Sequence, residues 1–296
     1  MINWKKNIFN NQLKEHDGIY LCKYKKSLAI EFHNKMPKGA ALRELQEFPL
    51  HLAYWERPYY HNALEKFLSN FRITKETVAV DIGCGDGRFT EYLLKKGFQK
   101  IIATDSHIKP LLSLRNYIIK NNFQDKVLII NCSAEDIPIK TESVDLALAI
   151  GVFYYLNDKC ELAISESKRL LKTKGILINS EPDLSGAIFK SIYFEEIDDL
   201  IENFEKRKFK EEKGKTNFKF KLFSQDEISQ LLQKSGFNII DKHGLSLLPS
   251  ILRIKMVRGE LSEDEIKSKE NKLRKIFDYF DNKPIYKHII WKSQKK

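Results

Sequence analysis

Val78-Ala79-Val80-Asp81-Ile82-Gly83-Cys84-Gly85-Asp86-Gly87 changes character half-way along its length. The first half is a β-prone run with little polar alternation, as in a strand buried on both faces. The second half places glycine at every other position. Glycine reaches backbone angles closed to other residues and lets a ligand approach the main chain. A helical pattern follows, with Phe89, Leu93 and Leu94 apolar and Gly97 at its end. Strand, glycine turn and helix in this order open an α/β domain whose ligand sits at the strand's carboxyl end. The G-x-G-x-G spacing differs from the G-x-G-x-x-G of dinucleotide folds, which argues against a nicotinamide-dependent dehydrogenase. It also lacks the Gly-Lys-Ser/Thr ending of a phosphate-binding P-loop.

The same rhythm continues downstream. Apolar runs predict strands over 100–105, 127–132, 144–150 and 175–181, with helices over 110–121 and 159–171 between them. Both faces of these strands are apolar, so the sheet is mostly parallel and covered on both sides. Ser224 and Glu227 form a capping-box pattern that opens a helix closing at Gly236, and Ser262 with Glu265 suggests another before 262–280. Strands are expected at 237–241 and 286–292. Upstream, 41–69 reads as helix through Leu42, Leu45, Leu52 and Trp55, with Pro58 kinking or dividing it. Residues 184–223 interrupt the rhythm. They combine a partly helical stretch, the basic run 206–210, and period-two alternation through Phe218, Phe220 and Phe223. Such alternation marks a strand with one buried face, or, less commonly, stacked bases.

Composition narrows the classes. The 296 residues are 42% hydrophobic, enough for a full core. Lys and Arg outnumber Asp and Glu by 51 to 40, a formal charge of +11. The lysines are spread along the chain, as on a solvated surface, although such a charge also attracts polyanions. Cys22, Cys84, Cys132 and Cys160 have no C-x-x-C spacing, which argues against zinc and a disulfide framework and fits a reducing, cytoplasmic compartment. No metal is expected. The start lacks the apolar core of a signal peptide, and no run reaches the ~18 apolar residues of a membrane span.

Asp105 ends the second strand, where a carboxylate is placed to accept hydrogen bonds from ribose hydroxyls. From here a resemblance becomes specific. Residues 78–90 resemble motif I of class I S-adenosylmethionine-dependent methyltransferases. The resemblance covers about 75–245 and weakly the final strand, and it is closest to the ubiquinone/menaquinone, small-molecule branch. It implies a Rossmann-like, mostly parallel seven-stranded sheet with an antiparallel last strand and helices on both faces. Residues 1–74 are then a mainly helical extension forming part of the acceptor site. Residues 75–296 are the cofactor-binding domain, with a cap over 184–223 and a helical insertion over 250–283.

The resemblance also implies roles. Gly83, Cys84, Gly85 and Gly87 form the loop under the methionine part of the cofactor. Asp81 anchors its ammonium end, and Asp105 with Ser106 holds the ribose. Ser133-Ala134-Glu135-Asp136-Ile137-Pro138 matches the adenine segment, Ala134 through its backbone N–H. Ser133 stands where the family often has aspartate, which leaves the amino-group contact to Glu135 or Asp136. Ile150, Gly151 and Tyr155 pack beside the cofactor.

Methyl transfer needs alignment above all, and a base only where the nucleophile must lose a proton. The acceptor site is expected outside the common core. One candidate wall holds Trp55, Arg57 and Tyr59, joined by Tyr20 and Tyr24, with His61 as a general base; the aromatics alternatively pack the N-terminal helix. A second holds Glu181 and Asp183, as hydrogen-bond acceptors or as capping residues, with Tyr154 beside the methyl group. The expected activity is methylation of a small-molecule, possibly anionic, acceptor. RNA methylation is the alternative within the chemistry, which leaves nucleic acid open as a partner, and a scaffold that kept the fold is the alternative outside it. Position 151–154 reads Gly-Val-Phe-Tyr, not an Asn-Pro-Pro-Tyr tetrad, which argues against amino-methylation of bases by that mechanism. Oligomeric state is left open.

Overall fold

The computed structural model describes residues 4–11, 13–22, 52–193, 201, 204–205, 208–213, 216–282 and 286–296. A short helix α1 (Trp4–Asn7) precedes strands β1 (Lys14–His16) and β2 (Ile19–Leu21). Helix α2 (Leu52–Leu68) leads into β3 (Val78–Ile82), α3 (Arg88–Lys96), β4 (Lys100–Asp105), α4 (Ile108–Lys120) and β5 (Val127–Asn131). Then come β6 (Val144–Ile150), a 3-10 turn (Phe153–Lys159), α5 (Cys160–Leu170), β7 (Leu171–Pro182) and α6 (Leu184–Tyr193). A hairpin of β8 (Lys208–Lys213) and β9 (Thr216–Lys221) precedes α7 (Gln225–Lys234) and β10 (Phe237–Ser246). Helices α8 (Leu248–Val257) and α9 (Glu263–Phe280) and strand β11 (Tyr286–Lys295) complete the chain.

One sheet carries the fold, in the order β1-β2-β5-β4-β3-β6-β7-β11-β10. Strands β2 to β7 run parallel, and β11 is antiparallel to both β7 and β10. The seven expected strands are all present, with the antiparallel last strand where the resemblance put it. Two more, β1 and β2, extend the far edge, so residues 14–21 are sheet and not part of a helical extension. Asp17 and Gly18 both take positive φ (55° and 78°) between paired His16 and Ile19. That is a two-residue hairpin loop whose twist suits the flanking strands.

The core lies on both sides of the sheet. One layer packs α2, α3, α4, α8 and α9 around Trp55, Phe67, Leu93 and Leu114; the other packs α5 and α7 around Val80, Ile164, Phe237 and Trp291. Helix α2 is one helix with Pro58 inside it, so the proline does not divide it; Leu42 and Leu45 lie outside the described residues. Ser224 and Glu227 form a reciprocal capping box, and Ser262 accepts from the Glu265 amide. The two ends of the 184–223 insertion meet. Asp183 bridges Phe223, and the Leu184 amide donates to the Phe223 carbonyl at 3.1 Å. The basic residues 206 and 207, and the side chains of 208–219, lie outside the described ones.

Candidate active site at the carboxyl ends of the strands

The strand order reverses at β3, with β4 on one side and β6 on the other. Ligands of open α/β sheets bind at such a switch point, outside the carboxyl ends. Gly83, Gly85 and Gly87 all take positive φ here (66°, 56° and 95°). Their roles differ. A Cβ on Gly83 would meet Val152 Cγ2 at 2.6 Å, and one on Gly87 would meet Leu114 Cδ1 at 2.3 Å. These two glycines allow close packing. A Cβ on Gly85 would meet nothing within 4 Å, so its main chain borders open space. The Cys84 amide donates to the Thr104 carbonyl at 2.9 Å and locks the loop to β4; the Cys84 side chain is buried.

Asp105 completes the cradle. Its Oδ2 accepts from the Gly85 amide at 2.9 Å, and its Oδ1 from the His107 amide at 2.8 Å. The His107 ring, 3.2 Å from both Oδ1 and Ser106 Oγ, holds the carboxylate from the other side. A carboxylate offers about four lone-pair sites, so capacity remains for a ribose hydroxyl. Asp81 lies deeper. It is 1% exposed, accepts from Thr90 Oγ1 at 2.7 Å, and burial pushes its carboxyl up to about 7, against the Thr90 hydrogen bond. The described geometry therefore gives Asp81 a place beneath the loop, through Thr90.

At the end of β5, Ser133 is buried and its carbonyl accepts from the Asp136 amide, which turns the chain at Ala134 and Glu135. Burial opposes ionisation of Glu135, but hydrogen bonds from Lys159 and Ser133 outweigh it and hold its pKa low. Its Oε1 lies 2.5 Å from Lys159 Nζ. At the end of β6, Gly151 has φ 73° and its amide donates to Ser180 Oγ at 3.0 Å. Ile150 is buried beside it.

The structure sorts the acceptor candidates sharply. Trp55 is 0% exposed, edge-on to Phe277 and under the Arg274 guanidinium. Tyr59 is buried and donates to Asp278 Oδ1 at 3.1 Å. Both anchor α9 and neither lines a site, because the apolar stripe of α2 that carries them faces that helix. Tyr20 sits on β2 against Phe9. Tyr20 packs in the layer of Val80 and Trp291, on the other side of the sheet from Trp55 and Tyr59, so it does not join their wall. Tyr24 lies outside the described residues. His61 packs on Tyr92 at 5.0 Å, its pKa lowered to about 4 by burial and by the nearby Arg57, Arg88 and Lys95 charges. It stays on the α2–α3 side with the half-buried Arg57 and is not brought together with the β7 carboxylates. Asp183 accepts from Ser185 Oγ and the Gly186 amide, and its carbonyl accepts from the Ala187 amide. It starts helix α6, which is the capping alternative.

Glu181 is placed otherwise. It is 0% exposed, accepts from the Tyr154 amide and from Asn179 Nδ2, each at 3.1 Å, and burial pushes its carboxyl up to about 8. Tyr154 above it packs at a tilt on Tyr155 (4.2 Å) and edge-on to Phe220 of the insertion (5.2 Å) and His288 of β11 (6.0 Å). The Tyr154 hydroxyl also approaches Gly151. Neither His288 nor Arg88 stands out by periodicity. His288 is 8% exposed, its Nδ1 has no hydrogen-bond partner among the described residues, and burial, reinforced by Lys287 and Arg88, holds its pKa well below the usual range. Arg88, on the first turn after the glycine loop, lies over the rings of Tyr60 (5.0 Å) and Phe89 (4.3 Å). Lys287 is neutralised by the buried Glu56 at 2.5 Å, which ties α2 to β11.

Residues 80–179 match the family model described as a methyltransferase domain. This stretch is about a third of the chain. It holds the glycine loop, Asp105, the adenine segment and strands β4 to β6, and ends two residues before Glu181. The chain is 30% identical over 140 residues to a methyltransferase-like protein of Schizosaccharomyces pombe, covering 45% of this chain and 50% of that one. It is 26% identical over 129 residues to protein arginine N-methyltransferase 1 of Chlamydomonas reinhardtii, covering 43% and 36%. The chain thus spans half or less of these relatives' length. A SAM-dependent methyltransferase of Methanosarcina mazei shares the fold at a TM-score of 0.55 and 17% identity, over 77% of this chain and 96% of that one. Among the described residues, no helix is long and apolar enough to cross a membrane.

Proposed function

We propose that the chain transfers a methyl group from S-adenosylmethionine to a small acceptor that carries an aromatic or apolar body and an N–H or O–H nucleophile. The cofactor supplies an electrophilic methyl on a sulfonium. Asp105 accepts from the ribose, the Gly85 main chain lies under the methionine part, and the Ser133–Glu135 turn borders the adenine. Arg88, which forms no ion pair among the described residues, binds the methionine carboxylate.

The acceptor lies against Tyr154, Tyr155 and Phe220, at a mouth that β9 covers as a lid. His288 accepts the proton of the nucleophile at Nδ1. Glu181, largely protonated at neutral pH, keeps the main chain at Tyr154 in place and leaves the pocket uncharged. The lid excludes water, which strengthens these hydrogen bonds. The observation that carries this reading is the buried Nδ1 of His288 beside Tyr154, which has no partner among the described residues, since a buried polar atom normally has a partner.

The test is S-adenosylhomocysteine release over three acceptor sets: small aromatic amines and phenols, arginine-containing peptides, and RNA. Turnover with the first set supports the reading. Turnover confined to arginine peptides or to RNA replaces it.

A further inference from the structure

Cys22 and Cys132 are 110 positions apart in sequence, yet the sheet sets them side by side. Strands β2 and β5 pair in parallel with Leu21 opposite Asn131, and the next step in that register is Cys22 opposite Cys132. The ladder continues there, because the Cys22 amide donates to the Asn131 carbonyl at 3.3 Å, and Cys22 Sγ contacts the same carbonyl at 3.3 Å. Neighbouring strands stand about 4.8 Å apart, inside the Cα separation of roughly 4.4–6.8 Å that a disulfide spans. Cys22 is half-buried, whereas Cys132 is 1% exposed.

We propose that this pair is an oxidation site, in which a peroxide joins Cys22 to Cys132 through a disulfide. The hydrogen bond from the Cys132 thiol lowers the Cys22 pKa against the effect of burial, while burial raises that of Cys132. Cys22 is therefore the attacking thiolate. Its sulfur takes the distal peroxide oxygen, the O–O bond breaks, and hydroxide leaves to become water. The resulting sulfenic acid is attacked by the Cys132 sulfur. The S–S bond forms, the S–O bond breaks, the oxygen leaves as water, and Cys132 gives up its proton. Two thiols and one peroxide give one disulfide and two waters.

The site is coupled to the cofactor cradle. The Cys132 amide donates to the Asp105 carbonyl at 3.1 Å, Asn131 Nδ2 donates to the same oxygen at 2.9 Å, and Ser133 and Ala134 follow directly. Drawing the sulfurs to bonding distance shifts this turn, so oxidation weakens cofactor binding several-fold. This consequence rests on the cofactor reading; the linkage does not.

The experiment treats the folded chain with hydrogen peroxide, blocks free thiols, and maps the digest by mass spectrometry. The expected result is a Cys22–Cys132 linked peptide that dithiothreitol reverses, with the buried Cys84 and Cys160 alkylated only after unfolding. Cys132→Ser is expected to accumulate a dimedone-reactive sulfenic acid at Cys22. Cys22 and Cys132 both recovered as free thiols, or Cys22 as sulfinic acid beside a free Cys132, overturns the site. Calorimetry on reduced and linked protein reads the coupling: S-adenosylmethionine binding unchanged by the linkage overturns it, whereas no binding to the reduced form instead removes the cofactor reading.

Discussion

The Asp105 carboxylate accepts a hydrogen bond from the Gly85 amide at 2.9 Å, joining the end of β4 to the apex of the glycine loop. One side chain thus shapes the loop and faces the ribose position. Asp105→Asn keeps the size of the side chain but sets an NH2 against either the Gly85 or the His107 amide, both of which the carboxylate accepts from. The expected loss is roughly 1.5–3 kcal/mol of cofactor binding, read as a ten-fold or greater rise in Kd by calorimetry, together with about 1–3 kcal/mol of stability for the amide left facing a donor.

The three loop glycines separate by what surrounds them. Gly87→Ala and Gly83→Ala meet Leu114 and Val152 in a positive-φ backbone and are expected to destabilise the fold by about 1–3 kcal/mol or more. Gly85→Ala has room, so it folds with a smaller penalty from φ alone and instead impairs cofactor binding. Thermal melts with and without S-adenosylmethionine distinguish the two classes.

Much of this was legible in the sequence. The run 78–87, the five parallel strands between 78 and 182 and the Ser224–Glu227 cap follow from periodicity and turn chemistry, which act over a few residues. The N-terminal hairpin was not read, because its strands are only three residues long and show no period, and Asp17-Gly18 is its one local mark. Trp55 and Tyr59 misled, because an aromatic on a helix reads the same whether it meets a ligand or another helix; only the position of α9, some two hundred residues on, decides. His288 was hidden for the same reason. It sits in a strand, and its neighbours Tyr154 and Pro182 reach it only once β11 inserts beside β7.

Trp55→Ala is accordingly expected to cost stability, about 3–5 kcal/mol, through the α2–α9 contact. Tyr59→Phe removes the Asp278 hydrogen bond and costs about 1 kcal/mol. In the folded Tyr59→Phe variant, KM for the acceptor is unchanged. Denaturant melts and steady-state kinetics check both.

Glu181 makes stability depend on pH. Its folded pKa, about 8, lies above the unfolded value of 4.5. Between these values the native state holds a proton that the unfolded state has released, so stability falls as pH rises. The contribution is fully present below about 4.5 and lost as pH passes through about 8. Glu181→Gln removes this dependence, so its melting temperature gains on that of the parent between pH 5 and pH 8.5, in steps of about 1.4 kcal/mol per unit at most. Asp81, pushed up to about 7, adds a slope of the same sign. Melts across this range, parent against variant, read the difference.

His288→Gln keeps the size and polarity of the site and removes its proton acceptor. Expected is a fall in kcat of about 10²–10⁴ with cofactor affinity retained, measured on the best acceptor from the panel by single-turnover kinetics.

Calorimetric titration with S-adenosylmethionine, run on the parent chain and on Asp105→Ala, tests the central claim most directly. Saturable binding by the parent, weakened at least ten-fold in a variant of unchanged fold, is the predicted result. A folded parent that takes up no cofactor, or binding indifferent to Asp105, contradicts it.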